Sequence, residues 1–288
     1  MVESKRKVAV VTDSATAFTP ELVAVYSLHV ARMEITIDGN TMVDGANTEL
    51  TNFYSMLKSC ESIPTSSAPN AAEYVDQFTK ASQTAESIFC VSVAAKLSAA
   101  YDAAQSGADL FKSDYPEIEI RVLDSATAAS SQALITLAAA RAASEGFTID
   151  EVEAVASNVA NKVRLVAMLD TLRFIHLSAR VPKIAIWGSN ALNIKPVMEY
   201  STGRIGSISR PRSVTKAIKR ICSEMSNDLT GKTAHINVIH AGVPERADIV
   251  RDWAVRNLNC AELFITQFHP FMGAHTGPGL VGASWWAE

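Results

Sequence analysis

The residues best suited to chemistry are one histidine and several hydroxyls spread along the chain. His275 stands in Phe271-Met-Gly-Ala-His275-Thr276-Gly277-Pro278-Gly279, directly after the apolar run Ala261–Phe268. That run reads as a buried strand, and the glycines and proline after it predict a close turn rather than a helix. On such a loop an imidazole can donate to a carboxylate or a phosphate, with Thr276 beside it. The competing reading is a glycine-rich turn whose histidine is merely solvated. A second concentration of hydroxyls, Thr65-Ser66-Ser67, lies between Pro64 and Pro69 in a segment that reads as a loop. A third signal is an echo: Val11-Thr-Asp13-Ser14-Ala-Thr16 and Val122-Leu-Asp124-Ser125-Ala-Thr127 are nearly the same word, each closing a strand. Ligands of open parallel sheets sit beyond the carboxyl ends of the strands, so Ser14 and Ser125 would line that crevice. Alternatively, both Asp-Ser pairs cap the elements that follow.

Other constellations fail on spacing. Gly231-Lys232-Thr233 imitates the end of a phosphate-binding loop, but the upstream glycine position holds Ser226 and a strand follows instead of a helix. The chain contains no GxSxG elbow and no HExxH pair. His235 and His240 face opposite sides of one strand run, and no carboxylate or thiol near His269 and His275 in sequence completes a metal site, so no metal and no cofactor are expected. The basic set Arg204, Arg210, Arg212, Lys216, Lys219 and Arg220 reads as a solvated hairpin and helix face, or as a surface for an acidic protein partner.

The elements that must position these residues alternate. Strands are expected at Lys7–Thr12, Leu28–Ile37, Ser87–Val93 and Ile118–Leu123. Helices are expected from Thr19-Pro20, from Thr51 to Lys58, up to Gln83, and over Leu97–Phe111 and Thr127–Ser144, the last stopped by Gly146. This alternation argues for a parallel sheet with helices on both faces. Thr148 caps a helix reaching about Asn161, which bridges to a second domain. Beyond it come a strand at Arg164–Leu169, a helix at Thr171–Ser178 and short hairpin strands within Asn193–Arg210. A helix at Ser213–Asp228, a strand at Ala234–His240, a helix at Pro244–Leu258 and the final long strand Ala261–Phe268 complete the pattern. The expected organisation is therefore two α/β domains. Residues 1–160 form a mostly parallel domain with hydroxyl-rich strand-end loops, and residues 161–288 form a mixed or antiparallel one carrying the His275 loop.

The 288 residues can bury a normal core, and 26 basic against 30 acidic side chains point neither to nucleic acid nor to an anionic membrane surface. No stretch approaches the ~20 apolar residues of a membrane span, and the first apolar run stops at Asp13, too soon for a secretory signal. Cys60, Cys90, Cys222 and Cys260 are far apart with no CxxC pair, which fits reduced core thiols in a cytoplasmic, soluble protein.

In order along the chain, these motifs resemble the DegV family of bacterial fatty-acid-binding proteins. Thr12-Asp13-Ser14 is similar to the family's opening TDS, Pro64-Thr65-Ser66-Ser67-Ala-Pro69 to its TSQPS loop, and Leu97-Ser98-Ala-Ala-Tyr101 to LSGTY. Leu123-Asp124-Ser125 resembles the second DS turn, Leu192-Asn-Ile-Lys195-Pro196 matches LNIKP, and Gly273-Ala-His275-Thr276-Gly277-Pro278-Gly279 matches GxHxGPG. The resemblance implies a two-domain α/β protein that holds a long-chain fatty acid in a tunnel. It implies head-group contacts at Thr65, Ser66, Ser98 and His275, with Thr276, Ser14 and Ser125 nearby and Arg180 near the site or on the kinase-facing surface. It further implies a non-catalytic subunit that presents substrate to a fatty acid kinase catalytic subunit, ahead of phospholipid synthesis. Departures are specific. Ala99 and Ala100 replace Gly-Thr, Ala94 and Ala95 replace two serines, and Leu177-Ser-Ala-Arg180 replaces a Gly-Gly-Arg stretch. Each makes the expected pocket less polar.

The chemistry suits that role. Burying ~15 methylenes offers roughly 12 kcal/mol before ordering costs, so hydroxyls and one imidazole need only orient the carboxylate. Two other functions are compatible with the same residues. One is a serine-dependent acyl hydrolase or transferase using Ser98 or Ser66 with His275 as base; the other is a carrier of a different amphipathic anion.

Overall fold

The computed structural model describes residues 5–45, 49–177, 194–201 and 204–288; Arg180 and the first residues of the Leu192–Pro196 motif lie outside them. In chain order the first elements are β1 (Arg6–Asp13), α1 (Pro20–Tyr26), β2 (His29–Ala31), β3 (Glu34–Ile37), β4 (Asn40–Val43), α2 (Leu50–Ser59) and β5 (Thr65–Ser67). Next come α3 (Ala71–Ser82), β6 (Ala85–Ser92), α4 (Ala100–Asp114), β7 (Glu119–Asp124), α5 (Ala129–Ser144) and α6 (Ile149–Lys162). The remainder is β8 (Arg164–Met168), α7 (Arg173–Leu177), β9 (Val197–Ser201), β10 (Arg204–Ser209), α8 (Val214–Leu229), β11 (Thr233–His240), α9 (Pro244–Asn257), β12 (Asn259–Gln267), α10 (Pro270–Thr276) and β13 (Val281–Ala287).

Two compact units result. One gathers Met1–Glu34, Val43–Asn47 and Ser67–Asn161; the other gathers Ile35–Met42, Thr48–Ser66 and Lys162–Glu288. Sequence position alone divides the chain at 160/161, whereas the compact units group residues 35–42 and 48–66 with the later half.

The first unit is a parallel sheet in the order β2-β1-β6-β7. Ala9, Val11, Ile88, Cys90 and Ile120 form one face and pack against Tyr74 and Phe78 of α3 and Ala104, Ala108 and Phe111 of α4. The other face meets α5, whose Gln132 and Thr136 reach Thr12. Strands covered on both sides lose the polar alternation of a half-exposed sheet, which is why their sequences are continuous apolar runs. At the next junction Thr148 and Glu151 form a reciprocal cap, the Thr148 N–H donating to Glu151 Oε2 at 2.8 Å and the Glu151 N–H to Thr148 Oγ1 at 3.4 Å.

The second unit is a six-stranded mixed sheet, β10-β9-β8-β13-β11-β12, parallel between β11 and β12 and antiparallel elsewhere. Helices α8 and α9 cover Val166, Val197, Ile236, Val238, Val281 and Trp285. A smaller sheet, β4-β3-β5, carries Thr65 and Ser66. Among the described residues no helix is long and apolar enough to cross a membrane.

Several expectations need correction. The strand expected over Leu28–Ile37 is two strands, broken at Arg32 and Met33. Helix α2 starts at Leu50 with Glu49, not Thr51, in the capping position. The loop expected around residues 64–70 contains β5. The helices expected from Leu97 and Thr171 start at Ala100 and Arg173. Strand β12 is an outer strand of its sheet with mostly half-buried side chains, not a buried one. It is not the last strand either, since β13 inserts between β8 and β11. The segment expected as an open turn is helix α10, begun by Pro270 in the first turn and ended only at Gly277, where φ is 77°.

Candidate functional site

His275 sits in the last turn of α10, 6% exposed, with its ring edge-on to Phe271 at 5.1 Å between centroids. Its Nε2 lies 2.9 Å from the Ser66 hydroxyl. Ser66 comes from β5, where side chains alternate across the strand, so Ser66 is half-buried while Thr65 and Ser67 are exposed. A hydroxyl can either donate to or accept from an imidazole nitrogen, so the tautomer of His275 decides the direction of this bond. Thr276 is adjacent, but its hydroxyl donates to the Met272 carbonyl at 2.9 Å, a bond within the helix.

The chain after His275 is held by charge. Gly279 adopts φ +88°, and a Cβ placed there would fall 2.5 Å from Asp170 Oδ2. Asp170 pairs with Lys195 at 2.6 Å and with Arg246 at 3.3 Å, and the Arg246 guanidinium also donates to the Gly279 carbonyl at 2.8 Å. Two cations on one carboxylate therefore fix the turn behind His275. Sequence reasoning missed Asp170 and Arg246, because neither lies near the motif along the chain; the closely spaced glycines were the available signal of a tight approach.

Ser14, Ser98 and Ser125 belong to the first unit. The Ser14 hydroxyl accepts from the Met33 N–H at 3.2 Å, tying the end of β1 to the segment after β2. Ser125 is fully buried and closes a local turn, donating to the Thr127 carbonyl at 3.1 Å and accepting from the Thr127 N–H at 3.3 Å. Ser98 is half-buried before α4 and accepts from the Ala100 N–H at 3.2 Å. Asp13 is the hub of this unit. It accepts from the Val93 N–H at 2.8 Å, the Ala15 N–H at 3.1 Å, Gln132 Nε2 at 3.1 Å and Ser92 Oγ at 3.3 Å. Burial outweighs these four donors and raises its pKa from 3.8 to about 6. Of the eight side chains singled out from sequence, then, Ser66 and His275 are in hydrogen-bond contact with Thr276 adjoining. Thr65 is beside Ser66, the three serines lie in the other unit, and Arg180 lies outside the described residues.

Residues 7–288 match the family model described as "Uncharacterised protein, DegV family". The chain belongs to the DegV family. DegV domain-containing proteins of Listeria monocytogenes and Streptomyces coelicolor are 27% and 26% identical to it over 279 residues, covering 95% and 96% of this chain and 96% and 97% of theirs. Among solved structures, a DegV family protein of Thermus thermophilus described by its fatty acid binding superposes with a TM-score of 0.88 at 21% identity, over 98% of this chain and 100% of that one. A DegV family protein of Ruminococcus gnavus containing vaccenic acid gives a TM-score of 0.88 at 23% identity, over 98% and 100%. DegV of Bacillus subtilis, described as a fatty acid binding protein, gives 0.86 at 21% identity, over 99% and 100%. The DegV fold, a parallel α/β unit and a mixed-sheet unit, is thereby established for this chain.

Proposed function

We propose that this DegV family chain binds a long-chain fatty acid and presents it to a separate fatty acid kinase catalytic subunit for acyl-phosphate formation. The observation that carries the reading is the 2.9 Å contact between Ser66 Oγ and His275 Nε2, formed by two segments of the DegV motif set. A Ser66 hydroxyl that accepts from the imidazole can donate its own proton to one carboxylate, whose charge cannot be buried unpaired. The family's solved members described with fatty acid, vaccenic acid or heptadecanoic acid support the ligand class. Thr65, Thr276, Ser98, Ser14, Ser125 and Arg180 remain proposed ligand contacts on motif position.

The division of labour follows from the chemistry. A carboxylate oxygen attacks the γ-phosphorus of ATP, and acyl phosphate and ADP leave; positioning and charge neutralisation of the nucleotide do most of the catalytic work. This sequence has no phosphate-binding loop of the required spacing, so the proposal assigns ATP and magnesium to the partner. Lipid extraction of the purified protein followed by mass spectrometry tests the ligand, and acyl-phosphate production on adding a fatty acid kinase catalytic subunit tests the partnership. A co-purified long-chain acid is expected; a different lipid as sole occupant would reject the ligand.

The same contact favours one second reading, an acyl hydrolase or transferase with Ser66 as nucleophile and His275 as base. Burst release from an activated ester, abolished by Ser66→Ala, is its signature.

A further inference from the structure

We infer that Phe53 and Tyr54 are positioning residues, packed against Gly273 so that they set the separation between Ser66 and His275. Helix α2, which carries both aromatics, is the element before the strand that bears Ser66, with residues 60–64 between them. Helix α10 carries Gly273 two residues before His275. The two helices meet at that glycine with no spare room. A Cβ at Gly273 would lie 2.7 Å from Phe53 Cε1, 2.9 Å from Tyr54 Oη and 3.2 Å from Tyr54 Cε1. Phe53 and Tyr54 are 2% and 4% exposed, and their rings meet edge to face at 5.0 Å, so neither has freedom to yield.

A wall alone would not fix a distance; a tether is also present. Tyr54 Oη donates to the Phe268 carbonyl at 2.9 Å, immediately before α10 begins. The other side of the Tyr54 ring fills the space a side chain at Gly242 would take, 3.1 Å from its Cγ, beyond the end of β11. Helix α10 is thus stopped from approaching α2 by the rings and from leaving it by the hydroxyl. A Ser–His bond at 2.9 Å is lost when its atoms separate by less than 1 Å, so a displacement of that size in α10 is enough to open it. By burial alone Phe53 is a core residue. Its second role comes from the partner glycine, which only the fold reveals.

The ligand in this inference rests on the fatty-acid reading, but the positioning does not, and the test separates them. Gly273→Ala, Gly273→Ala with Phe53→Leu, and Tyr54→Phe are compared with the unmodified chain by two readouts: the NMR signals of the His275 ring, and affinity for a fluorescent long-chain fatty acid. Gly273→Ala is expected to shift the His275 signals and to weaken binding about tenfold, the cost of one hydrogen bond to a charged group. Adding Phe53→Leu removes the atom nearest the new methyl and is expected to restore part of both. Tyr54→Phe keeps the volume and lacks the tether, so it is expected to shift the His275 signals and bind more weakly while remaining folded. Unmoved His275 signals in folded Gly273→Ala, or the absence of any rescue by Phe53→Leu, would overturn the inference. If Gly273→Ala does not fold, unmoved signals in Tyr54→Phe overturn it alone. If no variant and not the parent chain binds fatty acid, the ligand reading fails while the His275 signals still decide the positioning.

Discussion

The Ser66 hydroxyl and His275 Nε2 are 2.9 Å apart although 209 residues separate them in the chain. The pair is polar, largely enclosed and contributed by two short elements, β5 and α10, that have little stability of their own. Short elements hold a distance only when larger ones support them, here α2 on one side and the Asp170 ion pairs behind. The pair orients a ligand rather than supplying most of its affinity, because an acyl chain of ordinary length contributes far more through burial than a head group does through hydrogen bonds.

Replacing either member should therefore weaken binding without abolishing the fold. Ser66→Ala removes one hydroxyl and is expected to cost two- to tenfold in long-chain fatty acid affinity. His275→Ala removes a donor to a charged group and is expected to cost ten- to a hundredfold. Isothermal titration gives the affinities, and thermal denaturation should show each variant within about 2 kcal/mol of the parent. If His275→Ala unfolds the protein but leaves the affinity of the folded fraction intact, the histidine is structural.

Asp13 provides a pH signature in the parallel unit. Burial raises its pKa from 3.8 to about 6, so the native state holds a proton that the unfolded chain releases. The contribution to stability is fully present below pH 3.8 and is lost as pH rises through 6, an effect on the order of 3 kcal/mol. Asp13→Asn cannot titrate, and it places an amide donor against the donors that Oδ2 now accepts from, Val93 N–H and Ser92 Oγ. At pH 4 it should be less stable than the parent by about 2 kcal/mol. Its deficit should shrink between pH 4 and pH 6 as the parent loses its proton. A constant deficit in denaturation measured across that range would place the proton elsewhere.

The parallel unit was largely legible in the sequence because buried parallel strands and capped helices are local signals. The apolar run ending at Asp13, Pro20 after Thr19, and Thr148 as the cap of its helix each mean the same thing in isolation as in the fold. The site's surroundings were harder to read. Gly273 argues for a turn by composition, yet it lies inside α10, because the missing side chain makes room for Phe53 and Tyr54. That reason is tertiary. Strand β13 was invisible for a similar cause: Gly282 interrupts its pattern, and it lies where a Cβ would meet Ala167 of β8 at 2.5 Å. The motif residues themselves, Ser66 and His275, were readable as chemistry, but their contact depends on long-range packing that no spacing along the chain encodes.

His269 carries the opposite pH dependence. Burial lowers its pKa from 6.5 to about 4, and its Nδ1 has no hydrogen-bond partner among the described residues. The unfolded chain therefore takes up a proton that the native state refuses, and stability present above pH 6.5 is lost as pH falls toward 4. Between pH 4 and 6 this loss runs against the gain from Asp13, so the parent protein should show a shallower acid limb than either group implies alone. His269→Asn removes the titration at the N-cap of α10, where φ is −70° and ψ is 168°, and offers an oxygen to the first-turn N–H groups. Its melting temperature should fall less than the parent's between pH 7 and pH 5. An equal fall would show that His269 is not the group responsible.

The turn behind His275 allows the severest single change. Gly279 adopts φ +88°, a conformation that costs an L-residue about 1 kcal/mol or more, and a methyl there would stand 2.5 Å from Asp170 Oδ2 and 2.7 Å from its Cβ. Asp170 cannot swing away freely, since Lys195 and Arg246 both hold it and Arg246 also binds the Gly279 carbonyl. Gly279→Ala must break those pairs or move the turn, and either route leaves charge imperfectly matched in a half-buried place. A destabilisation above 3 kcal/mol is thus expected by denaturant titration. Asp170→Ala in the same chain vacates the clashing atoms and should recover part of that loss, even though Asp170→Ala alone is destabilising. Strictly additive effects would mean that the clash is relieved by backbone movement instead, and that the ion pairs do not govern the turn.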